Sequence, residues 1–296
     1  MQQIIQCVPN FSEGRNLETV EAIADAIRSV ESVRLIDHSS DGDHNRSVYT
    51  ILGGTEPIRA AILAAVSAAI ERIDLRGHKG GHPRIGAADV IPLVPLRGIT
   101  MRECVETSYL MGEDLGALGI PVYFYEQSAR HLHRSNLADV RRGGFERLCV
   151  VGLDGECAPD AGPRVLHPSA GATVVGARSP LVAYNVNLDS RDLDAAREIA
   201  TKTRAARSGL TGVKAIGVWL ASSSIAQVSM NITRPELASL KQVFDFVCER
   251  AAERGIRVLE SEVIGAIPLK SLEGATSEDL QIAGFRGSQI LETWLD

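Results

Sequence analysis

The first half of the chain alternates between short apolar runs and longer amphipathic segments. After one apolar run, apolar positions recur at helical spacing behind Asn16, a residue suited to cap a helix. A second helix is predicted to open at Thr55, and a third at Thr100, where Glu103 completes a capping-box pattern. The predicted strands of this half cover residues 4–9, 33–36, 48–52, 88–94 and 122–125.

Residues 127–170 interrupt this alternation. They are rich in arginine, glycine and proline, which predicts a largely irregular connection with one short helix. Regular alternation then resumes, with a helix over residues 192–207 that closes at Gly209. Thr233 and Glu236 form a second capping-box pattern, which predicts the start of the last helix. The predicted strands of this half cover residues 181–188, 213–220, 225–232 and 258–267.

Each half therefore has the element order strand, helix, strand, strand, helix, strand, with extra elements in the first half. This order predicts an α/β (α+β) protein made of two ferredoxin-like βαββαβ subdomains, residues 1–178 and residues 179–296. In this plan the helices cover one face of each sheet and leave the other face for a partner sheet or a ligand. We expect a ligand tunnel or cleft between the halves.

The composition argues against several classes of partner. The 296 residues carry a formal net charge of -6, without the surplus of lysine and arginine that nucleic-acid binding needs. The five cysteines are scattered and show no CxxC spacing, which argues against a disulfide framework or a zinc ribbon. No basic and apolar leader opens the chain, and no apolar run approaches the roughly 18 residues that span a bilayer. We therefore expect a cytoplasmic protein that binds neither nucleic acid nor membranes.

Two histidines in the stretch RGHKGGHPRIGAADVIPLVP, residues 76–95, are the first candidates for chemistry. His78 and His82 flank a pair of glycines, and Pro83 follows directly. These glycines and the proline disfavour a helix, so the i, i+4 spacing does not indicate a metal site. The glycines let the backbone approach a ligand, while Pro83 and the strand behind it hold His82 in place. An imidazole exchanges a proton near neutral pH; the alternative is an ordinary loop histidine without a catalytic role.

Polar clusters elsewhere are candidates for binding. In SSDGDHNRSV, residues 39–48, most residues are typical of a hairpin turn, but Arg46 beside Asn45 suits bidentate contact with a carboxylate. The stretch GPRVLHPSAGATVVGAR, residues 162–178, lacks a Walker ending and either wraps a ligand or links two domains. In YNVNL and AQVSMNIT, polar and apolar residues alternate, so the polar ones share a sheet face that is either solvated or lines a ligand site. These polar residues are Asn185, Asn187, Gln227, Ser229 and Asn231.

Six segments of the chain occur in an order typical of one known family: CVPNFSEGRN, HNRSVYTILG, RGHKGGHPRIGAADVIPLVP, GATVVGAR, YNVNL and AQVSMNIT. The chain resembles the formiminotransferase domain of the glutamate formimidoyltransferases from about residue 4 to residue 272. The resemblance implies two ferredoxin-like subdomains, a folate-binding tunnel and a homodimer. It also implies transfer of a formimino group from N-formimino-L-glutamate to tetrahydrofolate, the co-substrate, as a step of histidine breakdown. No metal is implied.

The resemblance extends to individual residues. His82 lies in the family's His-Pro-Arg motif and is expected to be the catalytic base that deprotonates the attacking pterin nitrogen. The folate-contacting segment of the family corresponds to Gly162, Pro163, Arg164, Val165, Leu166, His167, Pro168, Ser169, Ala170 and Gly171. For the charged and polar groups of the substrates, the candidates are Asn10, Asp37, Asn45, Arg46, Lys79, Arg84, Asn185, Asn187, Gln227 and Asn231.

Three other functions remain open on the sequence. Formyl transfer from N-formylglutamate to tetrahydrofolate is the closest, with backbone N–H groups of the turn at residues 80–81 as candidate oxyanion donors. The second is a non-catalytic folate-binding module. The third is a metal-dependent hydrolase that uses His38, His44, His78 and His82. The sequence assigns no catalytic role to His131, His133 and His167, for which we expect surface positions.

Overall fold

The computed structural model of the chain describes residues 3–81 and 83–295. The chain separates into two compact units, Met1–Arg178 and Ser179–Asp296. Each unit packs helices against a multi-stranded sheet, so the mixed α/β class predicted from the sequence is confirmed.

The first unit is built around a seven-stranded sheet of the described residues. In chain order its elements are β1 (Ile4–Cys7), β2 (Asn10–Phe11), α1 (Leu17–Arg28), β3 (Val33–Asp41), β4 (Arg46–Gly53), α2 (Thr55–Arg72), β5 (Ala88–Arg97), α3 (Met101–Ala117), β6 (Val122–Phe124), α4 (Leu137–Val140), α5 (Gly144–Val151) and β7 (Thr173–Ala177). Strands β1 and β2 both pair antiparallel with β4 and β5, and so form one interrupted strand between them. Strand β3 lies at the edge beside β4, and β7 runs parallel to β5 and β6 between them.

Both faces of this sheet bury apolar side chains. Ile91 and Val175 belong to the large core that includes side chains of α1, α2 and α3. Their neighbours Val90 and Val174 point to the opposite face, where they pack with Leu148 of α5. Helices α1 to α3 therefore cover one face, and the connection that carries α5 covers part of the other.

The helix caps predicted for this unit are confirmed. The Asn16 side chain accepts a hydrogen bond from the Thr19 amide (3.2 Å) at the start of α1. At the start of α3, the Thr100 amide donates to the Glu103 carboxylate (2.7 Å), and the Glu103 amide donates to the Thr100 hydroxyl (3.2 Å). These signals are readable from sequence because every partner lies within three residues.

Three predictions for the first unit are wrong. The prediction ended β3 at residue 36 and began β4 at residue 48, whereas β3 continues to Asp41 and β4 begins at Arg46. Since β3 is an edge strand, its polar side chains reach solvent and leave no apolar alternation to detect. The irregular stretch, residues 127–170, contains both α4 and α5 instead of one short helix, and β7, which follows it between two parallel neighbours, was not predicted.

The second unit is built on a four-stranded antiparallel sheet of the order β11-β8-β10-β9. In chain order its elements are β8 (Val182–Leu188), α6 (Leu193–Thr203), β9 (Val213–Leu220), β10 (Ile225–Ile232), α7 (Leu240–Ala252) and β11 (Val258–Ile264). This is the element order that the sequence predicts. Tyr184 and Val186 of β8 share a core with Val243 and Phe244 of α7, so the polar residues that alternate with them point away from the helices.

The capping box predicted at Thr233 is wrong. Ser239 caps α7 instead: its hydroxyl accepts from the Gln242 amide (3.2 Å), and the Gln242 side chain accepts from the Ser239 amide (3.1 Å). The Thr233 hydroxyl donates to the Gly212 carbonyl (2.7 Å), a partner that is distant in sequence. The Thr233 amide donates to the same carbonyl, so Thr233 is bonded to the chain before β9, and α7 begins only at Leu240.

Candidate active site

Five segments of the first unit form a group that we call the loop cluster. They are residues 12–14, 42–46, 78–81, 83–87 and 167–171. His82, the predicted catalytic base, falls between the third and fourth of these segments but lies outside the described residues. The structure thus defines the chain on either side of position 82.

The hairpin turn between β3 and β4 packs against the loop that leads to position 82. Asn45 adopts a left-handed conformation with φ of 50°. Its side-chain amide donates to the Lys79 carbonyl (3.1 Å), and its backbone carbonyl accepts from Nε2 of His78 (3.0 Å). The Gly81 amide also donates to the Asp43 carbonyl (3.2 Å). The two polar motifs that the sequence singled out first are therefore in direct contact.

Two glycines permit this close approach of backbones. A Cβ atom on Gly80 would collide with the carbonyl of His44, and a Cβ atom on Gly14 would collide with the backbone of Arg46. The Gly14 amide donates to the side-chain oxygen of Asn45 (3.0 Å), which joins a third segment to the turn. Glycine is needed at these two positions because a side chain would not fit, more than because the backbone must be flexible.

The segment to which the resemblance assigns folate contact is bonded to the chain on both sides of position 82. On the upstream side, the Leu75 amide donates to the Ser169 carbonyl (2.8 Å). On the downstream side, the Ala87 amide donates to the Ala170 carbonyl (2.8 Å). These bonds use backbone atoms only. They fix residues 167–171 beside the loop of residues 78–81, which we call the histidine loop.

A tight turn gives this segment its shape. The amides and carbonyls of His167 and Gly171 bond to each other (3.3 and 3.0 Å). Gly171 has φ of 71°, and a Cβ there would collide with the Ile85 carbonyl. Nδ1 of His167 accepts from the Ala170 amide (3.0 Å), so any ring proton of the neutral form is on Nε2. Burial lowers the pKa of His167, which favours that neutral form.

The predicted folate segment does not lie as one piece against the histidine loop. Gly162, with φ of 79°, lies against Gly116 of α3 and the carbonyl of Ile120, where a Cβ would not fit. Arg164 and Val165 are exposed. Within this segment, it is residues 167–171 that adjoin the chain flanking position 82.

Two arginines and two aspartates form a charged group at the site. Asp89 is almost fully buried and accepts from the Ile85 amide (2.9 Å) and from the Arg141 guanidinium. Burial, followed by the repulsion of Arg141, lowers the pKa of Arg46 to about 10, so Arg46 remains charged at neutral pH. Asp41 also attracts Arg46, so two guanidinium groups and two carboxylates meet at this point, and guanidinium groups suit contact with carboxylate ligands.

Sequence reasoning missed Arg141. It lies in the connection that was interpreted as irregular, and its neighbour Arg142 carries the same charge. Arg142 is exposed and pairs with Asp139 three residues away, whereas Arg141 reaches across 52 residues to Asp89. Which of two adjacent arginines turns inward depends on the tertiary fold.

The other predicted cations have different surroundings. Arg84 donates to the Glu146 carboxylate (2.8 Å) and to the His78 carbonyl (3.0 Å), so it ties the histidine loop to α5. Lys79 is exposed in the same loop. Burial lowers the pKa of His78 and keeps its ring neutral at pH 7.

Two predicted binding residues lie on strands instead of in the loop cluster. Asn10 is buried in β2, where its amide donates to the Val8 carbonyl (2.8 Å). Asp37 is half-buried on β3, in register with Thr50 of β4.

The polar residues of the second unit share the sheet face opposite the helices. Asn187 donates to Glu260 (3.0 Å), and Asn185 donates to Glu262 (2.8 Å). Gln227 donates to both the Asn187 side-chain oxygen (2.9 Å) and Glu262 (3.1 Å). Asn231 is exposed on the same strand. The two glutamates were missed because the stretch VLESEVI was read only as a strand, although its alternation places both on this face.

The described part of the chain contains neither a cluster of metal-binding side chains nor a helix that could span a membrane. Residues 3–81 and 83–295 contain no group of three or more histidine, cysteine, aspartate or glutamate side chains placed to hold a metal ion. His38 and His44 bond instead to Glu21 and Asp41 (2.8 and 2.7 Å). Over the same residues, no helix combines the length and the apolarity needed to cross a bilayer.

The fold and the loop cluster define a two-unit α/β protein whose first unit carries a polar, glycine-lined site. Comparison with known proteins specifies the class. Residues 4–178 match the family model described as the formiminotransferase domain, N-terminal subdomain, and residues 183–280 match the one described as the formiminotransferase domain.

Three curated relatives agree with this assignment. A glutamate formimidoyltransferase of Streptococcus pyogenes serotype M1 is 45% identical, over 100% of this chain and 99% of that protein. A glutamate formimidoyltransferase of Thermoplasma acidophilum is 40% identical, over 98% and 96%. The formimidoyltransferase-cyclodeaminase of Sus scrofa is 41% identical over 94% of this chain, which spans about half (52%) of that protein. The chain belongs to the formiminotransferase family and is a transferase.

Proposed function

We propose that this protein transfers the formimino group of N-formimino-L-glutamate to tetrahydrofolate and releases 5-formiminotetrahydrofolate and L-glutamate. The relatives that match it over nearly their full length carry the name glutamate formimidoyltransferase. One structural observation carries the proposal: residues 167–171 are bonded to the chain on both sides of position 82. The segment expected to hold folate is therefore next to the loop expected to hold the base. The subdomains of this enzyme are residues 1–178 and 179–296.

His82 acts as the general base in this proposal. The formimino carbon of the substrate is an amidinium carbon at neutral pH, so it is already electrophilic and needs no metal to activate it. A bond forms from N5 of the pterin to this carbon, and the bond from the carbon to the glutamate nitrogen breaks. His82 accepts the N5 proton and returns it to the departing glutamate nitrogen. A positioned base typically contributes about 10²- to 10⁴-fold to the rate.

The cations of the loop cluster bind the substrate carboxylates. N-Formimino-L-glutamate carries two carboxylates, and folate carries a glutamyl tail. Arg46 and Arg141 lie beside Asp89 and Asp41, and Lys79 is exposed in the histidine loop. Arg84 is engaged with Glu146, so its first role is to hold the loop. Holding both substrates in place contributes up to about 7–11 kcal/mol to lowering the barrier.

Mixing the protein with tetrahydrofolate and N-formimino-L-glutamate tests this function. The expected product is a folate heavier by one formimino group, detected by mass spectrometry, and its hydrolysis releases ammonia. A parallel reaction with N-formyl-L-glutamate tests the closest rival, since its product releases no ammonia. Folate binding without turnover of either donor would instead identify a non-catalytic folate-binding module, and the proposed activity would then be wrong.

The assembly and the location of the enzyme are parts of the same proposal. We infer a cytoplasmic homodimer, as the family resemblance implies. Light scattering of the purified protein would give the mass of the assembly, and a monomer at micromolar concentration would contradict the dimer.

A further inference from the structure

The helix-free face of the second sheet carries two carboxylates on β11, and Lys214 shares this face on β9, at the opposite edge of the sheet. We call this surface the acidic face; it consists of Asn185 and Asn187 of β8, Gln227 of β10, and Glu260 and Glu262 of β11. Strand register places Gln227, Asn187 and Glu260 side by side in one row. Among the residues that the structure describes, no lysine, arginine or histidine forms an ion pair with either glutamate.

The carboxylates determine how the three amides are oriented. An ionised carboxylate only accepts hydrogen bonds, so the side-chain nitrogens of Asn185 and Asn187 must point at the glutamates. The side-chain oxygen of Asn187 then accepts from Gln227, whose nitrogen also reaches Glu262 (3.1 Å). All observed donors of the network are thus directed inward, toward the two glutamates.

One acceptor of this hydrogen-bond network, the side-chain oxygen of Gln227, has no donor among the described residues. Gln227 is only 1% exposed, and its side-chain oxygen has no hydrogen-bond partner among the described residues. Glu262 uses one carboxylate oxygen for both Asn185 and Gln227, which leaves its second oxygen as another available acceptor. Buried acceptors of native proteins are almost always satisfied, so an orphan of this kind indicates a missing donor.

We propose that the acidic face binds a planar N–C–N group that presents two adjacent N–H donors, with Glu262 and Gln227 as its acceptors. A carboxylate accepts two parallel N–H bonds from such a group, as it does from a guanidinium. The negative charge of the face further favours a cationic or strongly donating ligand.

This inference rests on the proposed function, because both substrates of that reaction carry the required chemistry. The amidinium of N-formimino-L-glutamate has two N–H donors on one carbon. The 2-amino group and N3–H of the pterin ring form an equivalent edge. In either case the acidic face recognises the donor-bearing group.

The test measures ligand binding by calorimetry with the full-length chain and two variants. Glu262→Gln removes the negative charge, keeps the shape of the side chain and places an N–H₂ donor where the ligand also has a donor. Gln227→Met removes the side-chain oxygen that has no hydrogen-bond partner. The matched control is Glu249→Gln, an exposed glutamate of α7 that pairs with Arg250 on the helical side. The probes are 5-formyltetrahydrofolate and its 2-desamino analogue, together with N-formimino-L-glutamate and N-formyl-L-glutamate.

Glu262→Gln is expected to weaken binding of one ligand by about 10- to 100-fold, the effect of a lost charge-assisted hydrogen bond. If the pterin is the source, 5-formyltetrahydrofolate weakens and its 2-desamino analogue does not. If the amidine is the source, N-formimino-L-glutamate weakens and N-formyl-L-glutamate does not. The control keeps wild-type affinity for all four.

Wild-type affinities of folded Glu262→Gln and Gln227→Met for all four ligands would overturn the inference. If neither variant folds, the wild-type protein decides: equal affinity within both ligand pairs would also overturn it. A wild-type protein that binds these ligands selectively but shows no turnover would contradict the proposed function alone.

Discussion

The loop cluster and the acidic face are two polar sites that are held together by different kinds of contact. The loop cluster joins five segments through main-chain bonds and close glycine contacts, and it contains the buried Arg46. The acidic face uses three adjacent strands, and side-chain amides fill the space between two carboxylates. Main-chain bonds connect the segments of the first site, with Asn45 and Arg84 as side-chain links, whereas side chains alone connect the polar groups of the second. Single side-chain replacements should therefore affect the two regions differently.

The largest expected effect is at the centre of the loop cluster. We predict that His82→Ala lowers kcat by about 10²- to 10⁴-fold, because it removes the proposed base. Since the loop is fixed by main-chain bonds on both sides of position 82, the melting temperature should change little. Steady-state kinetics and thermal unfolding measure the two quantities. His133→Ala, at an exposed position, is the control, and near-wild-type turnover of His82→Ala would remove the base from the mechanism.

Removal of Arg141 should break a side-chain contact beside the loop cluster. Arg141→Leu leaves the buried Asp89 carboxylate without its ion partner, and we expect a loss of about 3–5 kcal/mol in the free energy of unfolding. Urea titration measures this loss. Arg142→Leu changes the adjacent exposed arginine and should cost less than about 1 kcal/mol. Equal effects of the two variants would contradict the assigned role of Arg141.

Gly80→Ala tests the claim that backbones touch in the loop cluster. The new methyl group would meet the His44 carbonyl and push the histidine loop from the hairpin turn, so we expect kcat/KM to fall by about 10-fold, since small misplacements of catalytic groups are costly. Gly77→Ala is the matched control, because a Cβ atom there meets nothing within 4 Å. If both variants retain full activity, close packing of these loops is not needed for catalysis.

The smallest expected effect is a pH dependence that only the loop cluster shows. Burial lowers the pKa of His78 below its value in the unfolded chain, so below about pH 6.5 the unfolded chain binds the proton first. This histidine therefore favours folding above that pH, and the advantage disappears as pH falls toward the lowered pKa. Unfolding measured from pH 7 to 5 should show a shallower decline for His78→Gln than for the wild type; parallel curves would refute the assignment.

The fold could be predicted where the signal was local. The caps at Asn16 and Thr100 involve partners three residues away. The first and last residues of β9 and β10 follow from the alternation of the sequence alone. Errors arose where a distant partner decided the outcome. The hydroxyl of Thr233, predicted to cap a helix, donates to the carbonyl of Gly212. The apolar run of β7 forms a strand because it pairs with two parallel neighbours, β5 and β6.

The site could be predicted in pieces but not in its assembly. Motif reasoning identified the turn at residues 42–46 and the loop at residues 78–81, and the structure brings both together. It also placed Asn185, Asn187 and Gln227 on one face. It could not single out Arg141 or Glu262, because the groups that make these residues significant lie on other strands and loops.

Main-chain bonds around position 82 have a consequence for redesign. A carbonyl bonded to an amide is indifferent to the side chain that its residue carries, so the bonds from Leu75 to Ser169 and from Ala87 to Ala170 do not specify those residue types. A library that randomises the exposed residues 164, 165 and 168 while keeping His167 and Gly171 should yield mostly folded members. Such a scaffold would allow donor selectivity to be evolved without rebuilding the framework that carries it.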